Sequence, residues 1–114
     1  MTLTIWHNPR CSKSRQTLAL LQEHGHAPEV RRYLDDAPTE AELRAAARSL
    51  GLRPIEMMRT KEAEFKAEGL TKDSDDDALF AAMARVPKLI ERPIVFANGK
   101  AALGRPPEAV FDIL

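Results

Sequence analysis

The chain has 114 residues, a length that fits one domain with a modest hydrophobic core rather than two separate ones. Lysine plus arginine and aspartate plus glutamate number 17 each, so no overall field favours nucleic acid or an acidic membrane, and any anion selectivity must be built locally. A single cysteine, Cys11, excludes an internal disulfide and a thiolate cage for structural zinc.

In chain order, Leu3 and Ile5 alternate with threonines through Trp6, a short strand pattern, and His7-Asn8-Pro9-Arg10 follows as a turn. The opening residues lack the basic region and long apolar run of a signal peptide, and no later stretch is apolar enough to span a bilayer, so a cytoplasmic protein is expected. From Ser12 the pattern turns helical, with Leu18, Leu20 and Leu21, and Gly25 suits its end. A second extended piece runs from about Glu29 to Leu34, which completes a βαβ unit. Thr39-Glu40-Ala41-Glu42 spells a capping box for a helix that Gly51 terminates. Pro54 can start one or two short helices closed by Gly69, and Ser74-Asp75-Asp76-Asp77 opens another carrying Leu79, Ala82 and Met83. Consecutive aspartates point in different directions on a helix and are favourable at its N-terminus, so no metal site is assigned to them. Ile94-Val95-Phe96, Asn98-Gly99 and Lys100 to Leu103 read as a hairpin with a type I′ turn. Pro106-Pro107 suits a helix start, and Val110, Ile113 and Leu114 supply an apolar face. The expected fold is therefore α/β, one domain over 1–114, with a helical insertion at about 39–90 between an N-terminal βαβ and a C-terminal ββα unit.

Cys11 lies where the first turn meets the first helix. A free thiol with a pKa of about 8.5 is only slightly ionised at neutral pH, but unpaired N–H groups and the positive end of a helix dipole favour the thiolate. The same donors can cradle an anionic substrate. His7, Arg10, Lys13 and Arg15 add positive or potentially positive charge around it. Protonation of His7 would favour the thiolate further. Ser12 and Ser14 are read as caps of helix N–H groups, because no Asp/His arrangement that would activate them is visible.

At His7-Asn8-Pro9-Arg10-Cys11-Ser12-Lys13-Ser14-Arg15 the sequence resembles the glutaredoxin-coupled arsenate reductase family, ArsC, of the thioredoxin-like superfamily. Met58-Arg59, Glu91-Arg92-Pro93-Ile94-Val95 and Gly104-Arg105-Pro106-Pro107 resemble family blocks in the same order, so the likeness runs through the whole chain. The resemblance implies a thioredoxin-like fold, with Cys11 as nucleophile, His7 as the histidine that favours its thiolate, and Arg59, Arg92 and Arg105 as the oxyanion-binding residues. It also implies a cis bond before Pro93, which an X-Pro bond permits. Guanidinium forks suit a tetrahedral oxyanion such as arsenate. The implied reaction begins with attack of the Cys11 thiolate on arsenic; external glutathione, a co-substrate, and glutaredoxin complete reduction to arsenite, an arsenic-detoxification chemistry. No bound cofactor, nucleic-acid partner or membrane partner is expected, and the expected state is a monomer. The alternatives are an Spx-like redox or transcription regulator, whose Cys-x-x-Cys pattern is replaced here by Cys11 and Ser14, and a glutathione-linked thiol oxidoreductase without arsenate activity. The loop Cys11-Ser12-Lys13-Ser14-Arg15 departs from the small Gly/Thr residues that family members often carry after the cysteine.

Overall fold

Leu3 and Ile5 point to one side of an extended segment, and hydrogen bonding on both edges makes that segment the centre of a sheet. A computed structural model describes residues 2–114. Strand β1 covers Thr4–Trp6, helix α1 Ser12–Glu23 and strand β2 Glu29–Arg31. β1 and β2 pair in parallel, with Ile5 opposite Val30, so the chain needs the crossover that α1 supplies. β3 (Ile94–Ala97) pairs antiparallel with β1, and β4 (Lys100–Leu103) antiparallel with β3, giving a four-stranded mixed sheet in the order β2-β1-β3-β4. Asn98 and Gly99 both take positive φ, 56° and 73°, as a type I′ turn requires. The thioredoxin-like layout expected from the sequence is present: βαβ, an insertion of helices, then a hairpin and a closing helical segment.

Two elements differ from expectation. β2 stops at Arg31 rather than reaching Leu34, because the chain turns: the Asp35 and Asp36 N–H groups donate to the Arg32 carbonyl, and Arg31 Nε bonds the Asp36 carbonyl at 3.0 Å. The closing segment Pro107–Ile113 is a 3₁₀ helix. Its buried residues Pro107, Val110 and Ile113 recur every three positions, which a repeat of three residues per turn places on one face.

Residues up to Asp36 together with Arg92–Leu114 form one compact unit, and Ala37–Glu91 forms another. In the first, Leu3, Ile5, Leu21, Val95, Ala97, Val110 and Ile113 make a continuous core. On the other face of β1, Trp6 lies 4.8 Å from the Phe96 ring and 5.6 Å from the Arg31 guanidinium. The second unit holds α2 (Glu40–Leu50), α3 (Ala63–Ala67) and α4 (Asp76–Arg85), with 3₁₀ turns at Pro54–Met57 and Pro87–Leu89.

The capping box of α2 is formed as read: Thr39 Oγ1 accepts from the Glu42 N–H at 3.1 Å, and Glu42 Oε1 accepts from the Thr39 N–H at 3.0 Å. Gly51 ends this helix with φ 69°. The acidic triplet is taken up structurally. Asp75 caps α4 through the Ala78 N–H, Asp76 pairs with Arg53 at 2.9 Å, and Asp77 with Arg44 at 2.7 Å. Leu43, Met57, Leu79, Met83 and Leu89 are fully buried in this unit.

Candidate active site

The segment between β1 and α1 is shaped by its own backbone and by asparagine. The Cys11 N–H donates to the Asn8 carbonyl at 3.0 Å, and the Arg10 N–H to Asn8 Oδ1 at 3.0 Å. Arg15 reaches back from the first turn of α1 to the Pro9 carbonyl at 3.0 Å. These bonds hold Cys11 in the N-cap position of α1, with φ −93° and ψ 124° and its side chain making no capping bond. The sulfur is thus left to face the unpaired N–H groups of the first turn, where α1 carries no acidic residue.

Burial by itself would raise the Cys11 thiol pKa. The N–H of Ser14, the positive charge of Arg92, the N–H of Lys13 and a hydrogen bond from the Arg92 side chain outweigh it, so the net shift is downward. Arg92 precedes Pro93 through a cis peptide bond, as expected. The Gly104 N–H donates to the Pro93 carbonyl at 2.9 Å, which ties the hairpin's end to that loop, and Arg105 Nη1 approaches the Arg92 carbonyl at 3.4 Å. Arg105 is itself exposed. One compact unit thereby gathers a partly buried thiol, a guanidinium whose charge lowers its pKa and a second, solvent-facing guanidinium.

Arg59 belongs to the unit Ala37–Glu91. Its N–H donates to the Leu89 carbonyl at 2.8 Å, and its guanidinium is ion-paired with Glu62, which also pairs with Lys88 at 3.5 Å.

His7 is 6% exposed, and its Nδ1 lies 2.6 Å from Ser14 Oγ. Burial lowers its pKa, and the charges of Arg32 and Arg15 lower it further. The environment therefore favours neutral imidazole, so the added support that protonation of His7 would give the thiolate is disfavoured here. Ser14 also departs from its expected capping role. Its hydroxyl faces inward, fully buried, and accepts the Asn8 N–H at 3.0 Å, so it braces the turn rather than a helix N–H.

The ArsC family model matches residues 6–113. The chain belongs to the ArsC family. It is 51% identical over 114 residues to an arsenate reductase of Neisseria meningitidis, covering 98% of this chain and 97% of that one. It is 45% identical to an arsenate reductase of Haemophilus influenzae over the full length of both. Among solved structures, the arsenate reductase from Vibrio cholerae superposes with a TM-score of 0.95 at 54% identity, over 100% of this chain and 98% of that chain.

Two positions of this ArsC chain, Thr17 and Gly104, support the site without a role assigned to them from sequence. Thr17 Oγ1 donates to the Lys13 carbonyl, in the first turn of α1, at 2.8 Å. Gly104 packs so closely that a Cβ there would fall 2.5 Å from Thr17 Oγ1 and 2.6 Å from Pro93 Cγ. Sequence offers no signal for Thr17, an ordinary helix residue. For Gly104 the signal was its place in the Gly-Arg-Pro-Pro block, whose reason is close backbone approach. The cis bond between Arg105 and Pro106 was likewise not anticipated.

Proposed function

We propose that the protein is an arsenate reductase in which Cys11 is the nucleophile, with glutathione and glutaredoxin as external thiol donors. The observation that carries this reading is the setting of Cys11: an N-cap thiol whose ionised form is favoured by the Ser14 and Lys13 N–H groups and by Arg92. Relatives at about half identity over nearly their whole length carry the name arsenate reductase, which supports the substrate.

The thiolate forms a sulfur–arsenic bond, and an arsenic–oxygen bond breaks with loss of water or hydroxide. Arg92 and Arg105 hold the oxyanion and offset its charge, Arg92 acting on thiolate and arsenate alike. The family resemblance adds Arg59 as an oxyanion residue, and its guanidinium is here paired with Glu62. His7 supports the thiolate through Ser14, which its ring bonds at 2.6 Å. Conversion of As(V) to As(III) takes two electrons, which two thiols supply by becoming one disulfide. Cys11 is the chain's sole thiol, so the second comes from glutathione, and glutaredoxin thiols then reduce the mixed disulfide and restore Cys11.

The test is arsenate-dependent NADPH oxidation coupled through glutathione, glutaredoxin and glutathione reductase. Turnover by the wild type and none by Cys11→Ser is expected. A wild type that is inactive, although its thiol alkylates rapidly at neutral pH, would move the assignment to a glutathione-linked thiol enzyme acting on another substrate.

A further inference from the structure

Counting donors and acceptors around Ser14 constrains the state of His7. The Ser14 hydroxyl has one proton to donate and is fully buried, so it must find an acceptor within the protein. Its oxygen already receives the Asn8 N–H at 3.0 Å. Among the described residues its other hydrogen-bond partner is His7 Nδ1, at 2.6 Å. If Nδ1 carried a proton, it would donate to Ser14 Oγ and leave the hydroxyl proton without an acceptor, at the cost of burying an unsatisfied donor. A neutral ring protonated on Nε2 leaves Nδ1 free to accept the Ser14 hydroxyl proton.

We propose that His7 supports the thiolate as a neutral acceptor rather than as a cation, and that Ser14 is a positioning residue: its hydroxyl, locked between the Asn8 N–H and His7 Nδ1, fixes the turn that aims the Lys13 and Ser14 N–H groups at Cys11 Sγ. The charged groups around the pair fit this arrangement. Arg32 and Arg15 act on His7 and oppose a further positive charge, while Arg92 supplies the cation at the sulfur itself. The division of labour is chemical. A guanidinium stays charged over the whole working pH range, whereas an imidazolium would discharge within it.

This inference rests on Cys11 as nucleophile but not on arsenate as substrate, so its test uses alkylation of Cys11 by iodoacetamide, followed against pH. Asparagine places an amide oxygen where His7 Nδ1 sits and can accept from Ser14 without ever being charged; leucine fills similar space and accepts nothing. Ser14→Ala and His7→Leu are expected to raise the Cys11 pKa and slow alkylation at pH 7 by about tenfold, the effect of one pKa unit, and His7→Asn to recover most of that loss. Equal slowing by His7→Asn and His7→Leu would overturn the proposal in favour of an imidazolium. Wild-type reactivity in both would overturn it by removing His7 from the support of the thiol. Long-range ¹H–¹⁵N correlation spectra of the reduced wild type provide a readout that no variant's misfolding can obscure. A neutral His7 protonated on Nε2 at pH 7 is expected, and an Nδ1-protonated or cationic ring would sink the idea. Arsenate turnover that fails while these results hold would refute the proposed substrate and leave this inference standing.

Discussion

Cys11 is acidic because main-chain donors and one guanidinium outweigh its burial, and these contributions can be separated by substitution. Arg92→Ala removes both a charge and a hydrogen bond from the sulfur but leaves the Ser14 and Lys13 N–H groups, so the thiol pKa should rise only part of the way to its ordinary value. Alkylation at pH 7 should slow by about tenfold for each unit of that rise, and an unchanged pH profile would remove Arg92 from the thiol's surroundings. The sign of the linkage follows from the direction of the shift. A thiol whose folded pKa is depressed stabilises the folded state above the unfolded pKa, and this contribution is lost as pH falls through the folded value. Urea denaturation across that window should therefore show a steeper pH dependence for wild type than for Cys11→Ser. Arg105 and Arg59 are expected to act on arsenate, and Arg105→Ala and Arg59→Ala should each lower kcat/KM for arsenate by at least about tenfold, the worth of a charge-assisted hydrogen bond. Wild-type kcat/KM in Arg59→Ala would leave that residue with only its Glu62 pairing.

Among the elements, the meeting of α1, the Pro93 loop and the end of β4 depends on Gly104. The two atoms that a Cβ would strike belong to a proline ring and to a buried threonine, neither of which can swing aside as a long flexible side chain would. Gly104→Ala should cost about 1–3 kcal/mol of stability by overpacking and also slow Cys11 alkylation, because Arg92 precedes Pro93 directly. A variant equal to wild type in both measurements would mean that the loop yields freely. By contrast, Thr39→Ala should cost about 1 kcal/mol through loss of the α2 cap, measured as a lower urea midpoint, and should leave the Cys11 pH profile where it was, since the cap lies in the other compact unit.

For the whole molecule, the sheet and its two covering helical segments share one core in the unit that carries Cys11. Leu21 is fully buried there beside Val95 and Val110, and Leu21→Ala should lower unfolding stability by about 2–5 kcal/mol. A loss well below that range in chemical denaturation would mean that the site collapses around the missing atoms. The presence of one thiol makes a further demand at this scale. Turnover should require both glutathione and glutaredoxin, and multiple turnovers in the absence of added thiols would contradict the electron count.

Sequence by itself determined much of this protein because the relevant signals are local. Hydrophobic alternation in Leu3 and Ile5, the Thr39–Glu42 box, the glycine at position 51 and the Asn98-Gly99 turn each act through neighbours a few residues away, and each element formed where those residues stand. Cys11 was legible for the same reason, since a cysteine after a turn and before a helix meets free N–H groups whatever the rest of the fold does. Tertiary structure alone decided what required distant partners. The need for glycine at 104 follows from the approach of Thr17 and Pro93, and the placing of Arg59 follows from the unit to which its segment folds. The charge state of His7 belongs with these: sequence places a histidine four residues before a cysteine, but burial, the hydroxyl of Ser14 and two arginines decide whether it carries a proton.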